Sequence, residues 1–269
     1  MQIVRLRNEF DECLFGALQP DGTVFRLEGN IYASPTMTDE VITGELLAPI
    51  VPTSIFCIGL NYKEHAKETN SEIPDHPVLF MKGLNSVANP GQPILLPRKL
   101  RSDKVDFECE LAVVIGRAAK NVRRDFALEY VLGYTCANDV SARDWQKHAG
   151  GGQWVRAKSF DTFCPLGPAI VTADELPNPN SLAISTTING EKMQDSNTAD
   201  MIYKVGELIE FLSGSTTLLP GTVILTGTPH GVGLGRNPHV WLQPGDTVTV
   251  EIENIGTLTN PVEEEKVLP

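Results

Sequence analysis

The chain has 269 residues, of which 41% are hydrophobic and 21% are charged, a composition typical of a globular protein with a large core. Its net charge of −12 argues against nucleic acids and anionic membrane surfaces as partners, although a bound metal and nearby lysines can still make one pocket attractive to an anion. The five cysteines are dispersed without a Cys-x-x-Cys pair, which excludes a disulfide framework and, with no signal peptide or membrane-length apolar run, predicts a cytoplasmic protein.

The first part of the chain is predicted to form a small β-rich domain over residues 1–52. Pro20-Asp21-Gly22 is a turn signal between two short apolar runs, as in a β-hairpin. The segment from Leu46 to Pro52 contains two prolines and is interpreted as a linker. A catalytic domain is therefore predicted over residues 53–269.

The main body is predicted to combine buried strands with short helices. In chain order the predicted elements are a strand over 55–59, a strand over 111–115 led in by Glu108 and Glu110, a helix over 125–131 ended by Gly133, a strand over 134–139, a short helix capped by Ser141, a helix over 202–212 ended by Gly214, and strands over 222–225 and 247–252. Gly150-Gly151-Gly152 predicts a mobile or tightly turned segment. Few long helices alternate with the strands, so an α+β fold dominated by strands is favoured over a doubly wound parallel sheet.

Glu108 and Glu110 are the first candidate metal ligands. Side chains alternate along a strand, so both carboxylates leave the same face beside a run that the apolar pattern buries. Buried like charges repel each other and lose hydration, and a bound cation would remove both penalties. The alternative is a solvated Glu-x-Glu pair on an exposed strand edge. Asp106 lies on the same face and could be a third ligand, but its position at the start of the strand favours solvation.

Asp139 is the candidate for a third ligand, because it ends the strand that follows the glutamate pair. It could equally serve as a helix cap or a turn residue. Three carboxylates with water would suit Mg²⁺ or Mn²⁺, with Ca²⁺ as a further option, and would suit Zn²⁺ less because no cysteine or histidine accompanies them.

His65 and Glu68 have the spacing of neighbours on one helix face. A carboxylate beside an imidazole orients it and strengthens it as a base. Gly59 before them permits a tight strand-to-helix turn. The alternative is an ordinary ion pair on a charged surface helix.

Lys82 and Lys158 lie among apolar and aromatic residues, where a lysine could bind a substrate carboxylate or stabilise an enolate, although a structural ion pair is the alternative for each. The glycine-rich run over 226–233 lacks the Lys-Ser/Thr ending of a phosphate loop, so nucleotide binding is unsupported. Its main-chain N–H groups and the Thr228 hydroxyl could instead approach a carboxylate.

Taken together, these segments resemble the fumarylacetoacetate hydrolase family, in the family's order, over residues 55 to about 260. The matching segments are Gly59-Leu60-Asn61-Tyr62 with His65 and Glu68, Phe80-Met81-Lys82, Asp106-Phe107-Glu108-Cys109-Glu110-Leu111, Asn138-Asp139-Val140-Ser141-Ala142-Arg143-Asp144, Lys158-Ser159-Phe160-Asp161-Thr162, and Thr226-Gly227-Thr228-Pro229-His230-Gly231-Val232-Gly233. The pattern is most similar to the branch that includes acylpyruvate hydrolases, oxaloacetate-acting members and hydroxymuconate isomerases.

The resemblance implies a mixed β-roll, a homodimer and a lid over residues 68–77. It implies that Mg²⁺ or Mn²⁺ is held by Glu108, Glu110 and Asp139. The remaining implied site residues are His65 and Glu68 as a water-activating pair, Lys158 as a further catalytic residue, and Lys82, Arg143, Gln146, Gly227 and Thr228 as groups that bind substrate.

The implied reaction centres on the enolate of a 2-oxo acid. The main expectation is hydrolysis of the carbon–carbon bond of acylpyruvate-type 2,4-dioxo acids. The alternatives are isomerisation, tautomerisation or decarboxylation of oxaloacetate or of a 2-hydroxymuconate-type diacid, and a non-catalytic binder of 2-oxo acids. The residues alone do not separate these reactions, because the same metal site and base pair serve all of them.

Overall fold

The computed structural model describes residues 1–149 and 152–267, so Gly150 and Gly151 of the predicted glycine turn lie outside the described residues. The first half contributes strands β1 to β10, at Gln2–Arg7, Cys13–Leu18, Val24–Glu28, Thr36–Val41, Glu45–Leu47, Ser54–Gly59, Val78–Lys82, Val87–Ala88, Ile94–Leu96 and Val105–Asp106. The second half contributes β11 to β19, at Cys109–Ile115, Val131–Asn138, Ser141–Ala142, Cys164–Thr172, Ala183–Ile188, Glu191–Asn197, Thr222–Leu225, Thr247–Ile252 and Gly256–Glu264.

Helices are short and few by comparison, which confirms the strand-dominated α+β class. The α-helices α1 to α3 are Lys63–Glu68, Val155–Lys158 and Val205–Ser213. Short 3₁₀ helices lie at Leu84–Ser86, Arg124–Tyr130, Thr198–Asp200 and Gly233–Gly235, and a π-helical turn lies at Trp145–Ala149. No helix in the described part of the chain is long and apolar enough to cross a bilayer.

One large sheet runs in the order β4-β3-β2-β1-β14-β12-β11-β17-β6-β7. Along this path the strands pair antiparallel except for β17 and β6, which are parallel. Off the path, β5 pairs antiparallel with β1, and β8 pairs parallel with β14. A second sheet, in the order β16-β15-β18-β19-β9, packs beside it. The N-terminal strands join the large sheet because β1 pairs with β14, placing Gln2 opposite Val171. The domain boundary at residue 52 stays a prediction, since this pairing continues the sheet across it.

Strand β11 lies at the centre of the molecule, and all seven of its residues are buried. Leu111, Val113 and Ile115 pack in the core between the two sheets, whereas Ala112 and Val114 pack in the core on the other face. A strand buried on both faces reads as a continuous apolar run, as the sequence predicts here. Because β11 is central, Glu108 and Glu110 at its beginning lie in the protein interior.

Several predicted helix boundaries are wrong. The helix expected over 125–131 is a 3₁₀ helix over Arg124–Tyr130. Gly133 does not end it but lies inside β12, where an added Cβ would collide with the main chain of Val171. Ser141 lies in β13 instead of capping a helix. Helix α3 begins at Val205, where the Glu207 carboxylate accepts the N–H of Lys204 at 2.9 Å, and ends at Gly214 as predicted.

Candidate active site

Three carboxylates meet where β11 begins and β12 ends. The antiparallel register pairs Cys109 with Asn138, which brings Glu108 and Glu110 beside Asp139. The Asp139 N–H donates to the Glu108 carbonyl at 2.9 Å, and this bond fixes the turn after β12. One oxygen from each of the three carboxylates lies within 4.8 Å of the others, and all three residues are buried. We call this set the carboxylate triad.

Buried cations surround the triad. The Lys158 ammonium lies 2.6 Å from Glu108 Oε2 and 2.7 Å from Asp139 Oδ2. The Lys82 ammonium binds the other oxygen of Asp139 and the carbonyl of Val140. Two of the triad carboxylates are therefore held by lysines that are themselves buried.

Arg143 links the triad to Asp106. Its guanidinium donates to Asp106 Oδ2 at 2.8 Å, to Glu108 Oε1 at 2.6 Å and to Gln146 Oε1 at 2.9 Å. Asp106 also accepts the main-chain N–H groups of Gly233 and Leu234 at 2.7 and 3.0 Å. The expectation that Asp106 is solvated is wrong, because these donors compensate its complete burial.

The electrostatic environment shifts the pKa values of Glu108 and Glu110 in opposite directions. Burial tends to raise the pKa of Glu108, but the charges of Lys158 and Arg143 prevail and hold it well below its usual range. Burial and the charges of Asp139 and Glu108 raise the pKa of Glu110 well above its usual range. Burial tends to lower the pKa of Lys158, yet Asp139 and Glu108 raise it above its ordinary value, so this lysine stays charged.

A divalent cation fits these residues. Four carboxylates, counting Asp106, face the three cations Lys82, Arg143 and Lys158, so the fully ionised set keeps excess negative charge. Among the described residues no cationic side chain binds Glu110, whose Oε2 accepts only the Gly227 N–H at 2.7 Å. Clustered carboxylate oxygens are the donors that Mg²⁺ and Mn²⁺ prefer.

The predicted pair of His65 and Glu68 lies on α1. His65 Nδ1 is 3.0 Å from Glu68 Oε2, and Glu68 Oε1 accepts the Gly231 N–H at 2.9 Å. Burial tends to raise the pKa of Glu68, but the bonds from His65 and Gly231 lower it below its ordinary value. The carboxylate is thus fixed on both sides and fixes the imidazole in turn.

The turn into α1 differs from the expectation at Gly59. Leu60, with a φ of +52°, is the residue in the left-handed region. Gly59 is needed for a different reason, since an added Cβ would lie 2.6 Å from the Trp154 ring. Trp154, which was not predicted from the sequence, packs its ring edge-on against Phe80 at 5.3 Å between centroids.

The loop over 226–236 binds carboxylates through its main chain. Gly227 donates to Glu110, Gly231 to Glu68, and Gly233 with Leu234 to Asp106. This placement agrees with the prediction that its N–H groups approach a carboxylate, although the carboxylates are the protein's own. Gln194, a buried amide that donates to Thr228, was likewise not predicted from the sequence. A single glutamine in a strand of polar residues carries no signal that distinguishes it from a surface group.

A cavity of about 750 Å³ opens above the triad. The predicted site residues that line it are His65, Glu108, Glu110, Arg143, Gln146, Lys158 and Thr228. Its apolar wall includes Ile58, Leu60, Val78, Phe80 and Trp154. Four predicted site residues are not among its described lining residues, namely Glu68, Lys82, Asp139 and Gly227. Each of them instead contacts a neighbouring site residue: Glu68 contacts His65, Lys82 contacts Asp139, and Gly227 donates to Glu110.

Comparison with known proteins identifies the family. Residues 54–263 match the family model described as fumarylacetoacetate (FAA) hydrolase C-terminal. The chain belongs to the fumarylacetoacetate hydrolase family. It is 49% identical over 218 residues to the mitochondrial oxaloacetate tautomerase fahd2 of Xenopus laevis, an alignment that covers 81% of this chain and 68% of that protein.

Two solved structures of the family share the whole fold. A 5-carboxymethyl-2-hydroxymuconate delta-isomerase from Mycobacterium smegmatis superposes with a TM-score of 0.87 at 40% identity, covering 98% of this chain and 100% of that one. A 2-hydroxyhepta-2,4-diene-1,7-dioate isomerase from Mycobacterium marinum gives 0.86 at 40% identity, covering 99% and 100%. The chain is thus an enzyme of this family. These three relatives are named as one tautomerase and two isomerases.

Proposed function

We propose that this protein is a divalent-metal-dependent enol–keto tautomerase of a short 2-oxo diacid, with oxaloacetate as the first candidate. The observation that carries the proposal is the carboxylate triad, two of whose members, Glu108 and Glu110, line the same cavity as Arg143, Lys158 and His65. The identity of 49% to an oxaloacetate tautomerase supports this substrate class. Homodimer formation and a cytoplasmic location stay predictions.

The charges of the site suit an anionic substrate only once a cation is present. Glu108, Glu110 and Asp139 would hold Mg²⁺ or Mn²⁺, which when bound supplies a Lewis acid beside the 2-oxo or enol oxygen. The guanidinium of Arg143 and the ammonium of Lys158 are the cations that line the cavity close to the triad. We assign them to the carboxylates and the developing oxyanion of the diacid.

The proposed reaction moves one proton and releases nothing. The O–H bond of the enol breaks, a C–H bond forms at the neighbouring carbon, and the carbonyl replaces the carbon–carbon double bond. His65 Nδ1 faces Glu68, so Nε2 is the ring nitrogen left to exchange a proton in the cavity. A positioned acid–base group of this kind contributes about 10²–10⁴-fold to the rate.

Hydrolysis of acylpyruvate-type dioxo acids is the second candidate. The same His65–Glu68 pair could take a proton from water that attacks the distal carbonyl, which gives this reaction a specific basis in the site. Decarboxylation of oxaloacetate would use the same enolate. A non-catalytic binder would keep the triad and have no need for the base pair.

The deciding experiment follows the ultraviolet absorbance of enol-oxaloacetate with metal-loaded protein. We expect its decay to exceed the uncatalysed rate, to stop on exhaustive chelation, and to fall by about 10²–10⁴-fold in His65→Ala. His239→Ala is the matched control, because His239 is exposed and does not line the cavity. Pyruvate released from acetylpyruvate without any acceleration of the enol decay would instead establish the hydrolase.

A further inference from the structure

Gln194 is a buried amide that connects β16 to the active-site loop without lining the cavity itself. Its Nε2 donates to Thr228 Oγ1 at 2.8 Å and to the Pro229 carbonyl at 2.9 Å. Its Oε1 accepts the Cys109 N–H at 2.9 Å and the Thr186 hydroxyl at 2.9 Å. Both ends of the amide are therefore occupied by the protein.

Two main-chain groups determine which way this amide points. The Cys109 N–H can only donate, so it requires the oxygen of Gln194, and the Pro229 carbonyl can only accept, so it requires the nitrogen. The opposite orientation would place two donors together and two acceptors together. The NH₂ group of Gln194 must therefore face Thr228.

This orientation fixes the role of the Thr228 hydroxyl. Because an amide NH₂ group only donates, Thr228 Oγ1 accepts from Gln194, and its own hydrogen remains available. Within the described residues that hydroxyl makes no other hydrogen bond, and Thr228 lines the cavity. We propose that Gln194 is a positioning residue that makes Thr228 a dedicated hydrogen-bond donor to an anionic oxygen of the substrate, an inference that rests on the proposed function.

A purely structural role is the competing explanation. Cys109 lies between Glu108 and Glu110, so Gln194 could matter only by holding β11 in place. That role would act on the carboxylate triad and on metal affinity. The proposed role acts through the Thr228 hydroxyl alone. Removing that hydroxyl should therefore cancel the effect of a Gln194 substitution if the proposed role is right, and should not cancel it if the role is structural.

The test is a double-mutant cycle between Gln194→Met and Thr228→Val in the metal-loaded protein. Its readouts are KM for enol-oxaloacetate and the dissociation constant of oxalate, an enolate mimic, measured by calorimetry. For Gln194→Met alone we expect both constants to rise about tenfold, the value of one hydrogen bond of about 1–1.5 kcal/mol. In the Thr228→Val background the same change should raise them less than about twofold.

Thr186→Val is the matched control, because it removes a buried hydroxyl from the oxygen end of the same amide and leaves the end that faces Thr228 intact. It should keep oxalate affinity within about twofold of wild type. Gln194→Asn, which shortens the amide by one methylene, replaces Gln194→Met in the cycle if the latter does not fold.

The outcomes are distinct. The inference would be overturned if Gln194→Met raised KM and the oxalate dissociation constant equally in both backgrounds, or if a loss of metal affinity accounted for the loss of oxalate affinity. Gln194 would then serve only to hold β11 in place. A wild-type protein that neither binds oxalate nor accelerates the enol decay would instead remove the proposed function itself. If wild type binds oxalate but the effects of Gln194→Met and Thr228→Val are additive, only the proposed role of Gln194 is rejected.

Discussion

The ammonium of Lys158 lies 2.7 Å from Asp139 Oδ2 and is buried, so its charge is balanced by the carboxylates of Glu108 and Asp139 more than by water. Removing one partner of a buried ion pair leaves the other charge uncompensated. In Lys158→Met we expect the metal-free protein to lose about 3–5 kcal/mol of unfolding free energy, measured by urea denaturation. Enol turnover should also be lost, because Lys158 lines the cavity.

The control for this variant is Lys192→Met. Lys192 pairs with Asp195 on the surface at 3.3 Å, with both side chains more than half exposed. Such pairs contribute about 0–1 kcal/mol. An unfolding free energy in Lys158→Met that equals that of Lys192→Met would show that Lys158 does not compensate the triad.

Glu110 gives a prediction about pH and metal. Its pKa is raised in the folded state, so the folded protein holds this proton more tightly than the unfolded chain does. Stability of the metal-free protein should therefore fall as pH rises above the ordinary pKa of 4.5, by about 1.4 kcal/mol for each pH unit until Glu110 is ionised in the folded protein as well. Glu110→Gln, whose amide oxygen can still accept the Gly227 N–H, should lack this slope and be more stable at neutral pH.

Thermal unfolding of wild type and Glu110→Gln, from about pH 5 to about pH 8 with and without Mg²⁺, tests this prediction. Mg²⁺ competes with the Glu110 proton, so the rise in Tm that it causes in wild type should grow with pH. The variant should show little or none of that rise. A metal-induced rise of equal size in both proteins would remove Glu110 from the ligand set.

The ligand candidates could be found in the sequence because their signal is local. Strand period places Glu108 and Glu110 on one face, and the apolar run that follows indicates burial. Asp106 could not be assigned, because its compensation comes from Arg143, 37 residues away, and from the distant N–H groups of Gly233 and Leu234. Burial of a charge depends on such long-range partners, and neither composition nor periodicity reports them.

Arg143 offers a test of geometry at constant charge. Its guanidinium binds Asp106, Glu108 and Gln146 at the same time, which the single ammonium of a lysine cannot reproduce. In Arg143→Lys we expect oxalate affinity to fall about tenfold or more, measured by calorimetry on metal-loaded protein. Arg117→Lys, on the surface beside Glu129, should leave it unchanged. Unaltered affinity in Arg143→Lys would mean that charge alone is needed at this position.

The absence of a side chain at Gly235 allows the Glu68 carboxylate to lie beside His65. An added Cβ at Gly235 would collide with the Glu68 carboxylate, which also accepts the Gly231 N–H. Gly235→Ala should therefore displace the carboxylate, leave His65 without its orienting partner and lower kcat about tenfold or more, while metal affinity stays unchanged. In a Glu68→Ala background the same substitution should lower kcat no further, because the colliding group is gone. Stopped-flow measurement of enol decay in the four proteins decides the matter, and equal losses in both backgrounds would show that Gly235 acts on the loop and not on Glu68.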